Sequence, residues 1–288
     1  MANLSIALLH PGNMGVTIGA CAATSGARVL WASEQRSAAS CGRAKEAGLI
    51  DAKSLAAAVD QSNIVLSVCP PEFATEVAIQ VAAQKFKGIY VDANAISRPT
   101  AEAIGGIVAQ AGAHFVDGGI IGSPVKKAGT TRLYLSGEKA ETIAGLFSAS
   151  MIDARCIGVI PGEASALKVA YAAWTKGTDA LILAIRALAH HEGVDQALLD
   201  EWRISQPTLE QKCVRAAAVA VPKMWRYVGE MNEIAEAFHG AGLPAGFHRA
   251  AAEVSSRLAC FKDQTEPPLS VANVVHALGE GSIETESH

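Results

Sequence analysis

The first two fifths of the chain alternate short apolar runs with longer amphipathic stretches. Apolar runs fall at residues 4 to 9 (LSIALL), Arg28–Ala32, Asn63–Val68, Ile89–Asp92 and His114–Val116. Short runs of this kind, bounded by turn residues, read as buried strands. Helical patterns occupy Ala52–Asp60, Phe73–Lys85 and Pro99–Ala111. Strand and helix in alternation predict a parallel sheet covered by helices on both faces. The runs end on polar and turn residues: Cys69-Pro70-Pro71, Asp92-Ala93-Asn94 and Asp117-Gly118-Gly119. Ligands of such sheets lie off the carboxyl ends of the strands.

After Pro161-Gly162 the pattern changes. From Gly162 to Glu192 the chain is apolar almost all round, and Ala164 to Ala189 holds no proline. That predicts a helix of about 27 residues, roughly 40 Å long, buried on most sides. Shorter helices follow at Asp195–Ile204, Leu209–Ala220, Lys223–Ala241, Ala245–Lys262 and Val271–Leu278. The polar tail from Gly279 is expected to fray. A boundary near residue 160 divides an α/β domain (1–160) from an all-α domain (161–288). That second domain is too small to cover the long helix, so a second copy of the chain is the expected cover, giving a homodimer.

Composition narrows the function. Half of the residues are apolar, 18% are charged and the net charge is −4, with no basic block. Nucleic acid is therefore not the expected partner. Six scattered cysteines without a CxxC suit neither zinc nor a disulfide framework and suggest reduced thiols. No His, Asp or Glu cluster suggests a metal. The start, MANLSIALLH, lacks the pattern of a signal peptide, and charges interrupt the long helix. A cytoplasmic protein acting on a small molecule, away from membranes, is expected.

The first strand run is followed by HPGNMGVTIGACAATSG. Gly12, Asn13, Met14 and Gly15 form the turn and first helical residues of a strand–turn–helix–strand unit. Glycines there let backbone N–H groups approach a pyrophosphate at a helix N-terminus. His10 stands where the first glycine of G-x-G-x-x-G is usual, and a plain tight turn is the alternative. After the second strand, Ala32 and Ser33 occupy the tip where a carboxylate would hold the ribose of NAD. Ser33, Arg36 and Ser37 instead suit the 2′-phosphate of NADP. Glu34 becomes the NAD-type acid if the register shifts by one residue. Lys168 lies in the nearly all-apolar helix, where a charge needs a partner or a task. It either snorkels or pairs with a carboxylate, or it does chemistry.

With those residues in view, the chain resembles the β-hydroxyacid dehydrogenase family, which includes 3-hydroxyisobutyrate dehydrogenase and 6-phosphogluconate dehydrogenase. More narrowly, it resembles a branch whose C-terminal domain is known only as phosphogluconate-dehydrogenase-like. The family's G-x-G-x-M-G falls on His10 to Gly15. Its substrate motif falls on Asp117 to Ser123, and its G-x-G-x-x-x-K-x-x-N falls on Gly162 to Tyr171. His10, Ile121, Ala164 and Tyr171 replace the family's glycine, serine, glycine and asparagine.

The resemblance implies a Rossmann-type α/β domain followed by an all-α domain, and an NADP-dependent oxidoreductase, NAD remaining possible. The hydride passes between the nicotinamide and a hydroxy acid or alcohol, or its carbonyl. Lys168 would be the general acid/base, with Tyr171 either a second hydroxyl on the substrate oxygen or a core tyrosine. Cys69, Pro70 and Asn94 would border the cofactor; turn and cap roles are the alternative for Asn94 and Ser97. Gly119, Ile120, Ile121 and Gly122 would line the substrate. Lys223 would bind a substrate anion with Trp225 as a wall, or would be a solvated helix-start lysine. Imine reduction and cofactor binding without turnover are the competing readings.

Overall fold

The structure, a computed structural model, describes residues 4–280. Strand and helix alternate from the first described residues: β1 (Ser5–Leu9), α1 (Asn13–Thr24), β2 (Arg28–Trp31), α2 (Ala38–Glu46), β3 (Ile50–Asp51), α3 (Leu55–Asp60) and β4 (Ile64–Ser67). Then come α4 (Ala74–Ala83), β5 (Ile89–Asp92), α5 (Arg98–Gln110), β6 (His114–Gly122), β7 (Thr131–Ser136), α6 (Ala140–Gly145) and β8 (Asp153–Gly158). The strands form one sheet in the order β3-β2-β1-β4-β5-β6-β7-β8.

Alternation along β1 shows why the sheet is covered twice. Ile6 and Leu8 enter one core with residues of α1, α2 and α6, while Ala7 and Leu9 enter the other with residues of α3, α4 and α5. Side chains on a strand alternate faces, so a run apolar at every position needs cover on both.

Several expectations are corrected. The sheet is mixed, because β7 pairs antiparallel with β6. β3, β7 and β8 were not anticipated, nor were α2 and α6. Asp117-Gly118-Gly119, expected at a strand end, lies within β6, which continues to Gly122. Glycines lower strand propensity, and that concealed the extension.

Two compact units divide the chain, Met1–Val169 and Ala170–His288. The long helix α7 (Glu163–His191, 29 residues) runs through the division. The second unit holds α8 (Asp195–Ser205), α9 (Leu209–Arg215), α10 (Tyr227–Gly240), α11 (Gly246–Arg257) and α12 (Val271–Glu280). Leu183, Trp202, Cys213, Val221, Met224 and Leu258 are among the residues of its core. The helices expected over 209–220 and 223–241 are broken. A π turn (Ala216–Ala220) and a 3-10 turn (Val221–Arg226) separate α9 from α10. Pro222 lacks the N–H that an uninterrupted helix would use. The helix expected over 245–262 likewise ends in a 3-10 turn, Leu258–Phe261. Gly279 and Glu280 end α12, and the rest of the expected frayed tail lies outside the described residues.

α7 is not covered all round within one chain. Trp174 is 69% exposed and Leu188 61%, and Leu181 and Ile185 on the same stripe are also exposed. Asp179, on Lys168's stripe by sequence, pairs instead with Arg215 at 2.8 Å.

Candidate functional site

The carboxyl ends of β1, β2, β4 and β5 and the adjoining part of β6 gather most of the singled-out residues of the first unit. β1 delivers the chain to His10, which is left-handed at φ 69°. The Gly12 N–H donates to the His10 carbonyl at 2.7 Å. A Cβ on Gly15 would lie 2.6 Å from that carbonyl oxygen, so only glycine fits beneath the turn. Gly12 precedes α1 without a side-chain cap, and a Cβ there would meet nothing within 4 Å. Uncapped helix N–H groups beside open space fit a pyrophosphate. Asn13, Met14 and Gly15 form the first turn of α1.

After β2, the Arg36 N–H donates to the Ser33 carbonyl at 3.1 Å, closing a turn in which Gln35 is left-handed. Ser37 caps α2 by accepting from the Ser40 N–H. Arg36 is exposed, and partial burial lowers its pKa. Its charge, after burial itself, helps push the His10 imidazole down to about 4. Arg43, which sequence reasoning missed, donates from Nε to the Pro11 carbonyl at 3.3 Å and from its guanidinium to Ser40 Oγ at 3.0 Å. It ties α2 to the turn before α1. Glu34 is exposed, with its N–H donating to the Lys53 carbonyl.

One buried polar row crosses four strands. The register aligns Ser67 with Asp92, Asp92 with Asp117, and Asp117 with Ser136, and each is 0% exposed. Asp117 Oδ2 accepts from the Gly162 N–H at 3.0 Å, the Ser165 N–H at 2.9 Å and Ser136 Oγ at 3.0 Å. Its other oxygen accepts from Ser165 Oγ. Ser136 Oγ in turn accepts from the Ala164 N–H. A carboxylate at the N-terminus of α7 satisfies otherwise unpaired donors and complements the helix dipole.

At the other side of the row, Asn94 is 2% exposed. Its Oδ1 accepts from the Cys69 N–H at 2.6 Å, and its Nδ2 donates to Ser67 Oγ and Asp92 Oδ2. The Asn94 side chain is thus engaged within the protein, holding the Cys69-Pro70 turn. Burial raises the Cys69 thiol to about 12.

Lys168 lies one turn beyond this anchorage. α7 reaches β6 closely because Gly119 has no side chain: a Cβ there would lie 2.7 Å from the Ala164 oxygen and 3.0 Å from Lys168 Cβ. The half-buried Lys168 donates from Nζ to the Ile120 carbonyl at 2.7 Å. Burial lowers its pKa to about 8. A carbonyl partner leaves the charge uncompensated, so the neutral amine becomes accessible near neutral pH. Ile120 and Ile121 are buried, and Gly122 is exposed.

The remaining candidates belong to the second unit. Tyr171 is exposed on α7, one turn after Lys168. Lys223 is exposed within the 3-10 turn, not at a helix start, and burial followed by Arg226's charge lowers its pKa. The buried Trp225 Nε1 has no partner, and Lys262 Nζ lies 4.1 Å from its ring centre. Among the described residues no three His, Cys, Asp or Glu side chains gather to hold a metal, and no helix is long and apolar enough to cross a membrane.

Residues 5–149 match the model of the NAD binding domain of 6-phosphogluconate dehydrogenase. The chain belongs to that family. Residues 189–258 match a domain of unknown function. The NAD-binding family domain spans β1 to α6 and so includes the glycine turn, the turn after β2 and the Asp92 and Asp117 positions.

An uncharacterized 28.5 kDa protein of Methanothermus fervidus is 31% identical over 157 residues, covering 54% of this chain and 60% of that protein. Among solved structures, a conserved protein of unknown function described as similar to 3-hydroxyacid dehydrogenases has a TM-score of 0.67 at 24% identity, covering 90% of this chain and 98% of its own. Mycobacterium tuberculosis 3-hydroxyisobutyrate dehydrogenase with L-serine has a TM-score of 0.67 at 18% identity, covering 96% and 99%. An Aspergillus terreus reductive aminase with NADPH and ethyl levulinate has a TM-score of 0.56 at 17% identity, covering 96% and 100%. These likenesses establish the hydroxyacid dehydrogenase fold, a Rossmann-like domain followed by a helical region.

Proposed function

We propose that this family member is an NADP-dependent oxidoreductase acting on a hydroxy acid or alcohol, or its carbonyl, with Lys168 as general acid/base. The observation that carries the reading is Lys168 itself. It is a lysine with lowered pKa, bonded to a strand carbonyl and fixed beside the carboxyl edge of a dinucleotide-binding sheet. The residues at that edge fit the cofactor. Gly12, Asn13, Met14 and Gly15 would take the pyrophosphate, Ser33, Arg36 and Ser37 the 2′-phosphate, and the Cys69-Pro70 turn held by Asn94 would border the ring. When bound, the nicotinamide supplies or accepts the hydride.

In reduction, the Lys168 ammonium gives its proton to the substrate oxygen. In oxidation, the neutral amine takes the proton of the hydroxyl. A general acid/base works best when its pKa lies near the working pH, and burial of Lys168 supplies that match. Gly119 to Gly122 would shape the substrate side beside Lys168. Tyr171, one turn along α7 from Lys168, would offer a hydroxyl. A small-molecule substrate, no nucleic acid and a cytoplasmic setting complete the reading. A panel of hydroxy acids, aldehydes, ketones and imines with NADPH and NADP⁺ tests it. Turnover of carbonyls or alcohols supports it, and turnover confined to imines would replace it with imine reduction.

NADP selectivity gives a separate test. Arg36→Ala is expected to weaken NADPH binding by about 1–3 kcal/mol, the range for a lost charge-assisted hydrogen bond, and to leave NADH binding nearly unchanged. Calorimetric titration of both cofactors checks this. An equal loss for both would assign Arg36 a different role.

The second proposal is a homodimer built on the open stripe of α7. Trp174, Leu181, Ile185 and Leu188 present an apolar face that water would otherwise wet. Sedimentation at micromolar concentration is expected to show a dimer, and Trp174→Glu with Leu188→Glu is expected to yield monomers. A parent protein that sediments as a monomer would refute the dimer.

A further inference from the structure

The buried row holds two carboxylates on neighbouring strands, and the mechanism above uses neither. Asp117 has four donors and faces the N-terminus of α7. Asp92 has two bonds, both from one residue: Oδ1 accepts the Asn94 N–H at 3.0 Å and Oδ2 accepts Asn94 Nδ2 at 2.9 Å. Asn94 passes that constraint on, because its Oδ1 holds the Cys69 N–H. The chain of contacts runs from a carboxylate with no solvent exposure to the turn that leaves β4.

We infer that Asp92 is a positioning residue whose charge state sets how firmly Asn94 grips the Cys69-Pro70 turn. As a carboxylate, Asp92 accepts both Asn94 N–H groups in charge-assisted bonds, and the amide is locked. As a carboxylic acid, one of its oxygens carries a proton and is a poorer acceptor, so the amide is held less firmly and the Cys69 N–H loses part of its partner.

The surroundings favour such a change near neutral pH. Burial raises the pKa of Asp92 to about 7, opposed by the Asn94 bonds and reinforced by the charge of Asp117. Two like charges on adjacent strands resist joint ionisation, and Asp92, with donors from Asn94 alone, is the one burial pushes up. The other titratable or charged groups near the row are Tyr90 on β5, Cys69 and Glu72 after β4, Arg36, whose charge reaches Cys69, and Arg98 on α5, whose charge reaches Asp117. Neither carboxylate forms an ion pair among the described residues.

Amide hydrogen exchange on the free protein reads this directly. The protection factor of the Cys69 N–H, corrected for intrinsic exchange, is expected to rise by up to about tenfold from pH 6 to pH 8 in the parent, the limit set by one lost hydrogen bond of about 1.4 kcal/mol. In Asp92→Asn and Asn94→Ala it should stay low and flat, while amides of β1 keep their protection. A pH-independent Cys69 amide in the parent would overturn the inference without any variant, as would a normal pH profile in Asp92→Asn. Thermal unfolding supplies a second reading. The folded pKa of Asp92 lies above its unfolded value, so its protonation stabilises the fold at low pH and that contribution is lost as pH rises through about 7. The melting temperature of the parent should therefore fall relative to Asp92→Asn between pH 5 and pH 7 and run parallel above. Parallel curves throughout would also overturn it.

The bearing of this turn on the cofactor rests on the proposed function. NADPH affinity is expected to rise over the same pH range in the parent and to be flat in Asp92→Asn. If exchange follows Asp92 and NADPH binding does not, the cofactor reading of the turn falls and the positioning role stands.

Discussion

Replacing Lys168 with methionine is expected to lower kcat by about 10²–10⁴-fold, the usual worth of a positioned general acid or base, with the fold and NADPH affinity nearly unchanged. Methionine keeps the apolar stem that packs along α7 and removes only the amine. The Ile120 carbonyl loses one donor, a modest cost for a single acceptor at a half-buried site. The parent's pH profile carries the same information. With a pKa of about 8, oxidation should quicken as pH rises through that value and the amine loses its proton, and reduction should slow over the same range. Circular dichroism, cofactor titration and steady-state kinetics together check the result. A methionine variant turning over within about threefold of the parent would place the proton elsewhere, with Tyr171 the next candidate.

Asp117→Ala is expected to cost roughly 3–6 kcal/mol, the sum for two N–H groups that each lose a bond to a buried carboxylate. The Gly162 and Ser165 amides at the start of α7 would be left without their acceptor, in a site with no solvent to replace it. Asp117→Asn keeps one carbonyl oxygen for those amides and should cost less than half as much. Urea unfolding followed by tryptophan fluorescence measures both. The effect reaches beyond stability. Lys168 follows Ser165 by one helical turn, so loosening the helix start displaces the amine from the Ile120 carbonyl. An alanine variant as stable as the parent would show that α7 is held by its apolar packing alone.

The strands of the first half were legible because runs such as LSIALL leave few alternatives: a segment apolar at every position must be covered on two faces. β7 and β8 were not legible, since Arg132, Tyr134 and Arg155 interrupt the apolar pattern at the sheet's far edge. The glycines of β6 read as a turn and are instead the place where a strand admits α7. Lys168 stood out because one charge in an apolar helix is costly. Asp117 was quoted as part of a motif, but its four donors come from residues 19 to 48 positions away, and no local pattern records them. In the sequence Asp92 ended one apolar run and Asp117 followed the next. A carboxylate at the end of two successive strand runs was the available hint, and only the register places them side by side. Asn94 was read as bordering the cofactor or as a turn residue, and its amide bonds to Cys69, Ser67 and Asp92 come from partners that the sequence alone does not bring together.

A calorimetric titration of the purified chain with NADPH, repeated with NADH, tests the central claim most directly. The account predicts saturable binding at one site per chain, tighter for NADPH than for NADH. Tighter binding of NADH would contradict the proposed cofactor, and no binding of either would contradict the dinucleotide site on which the role of Lys168 depends.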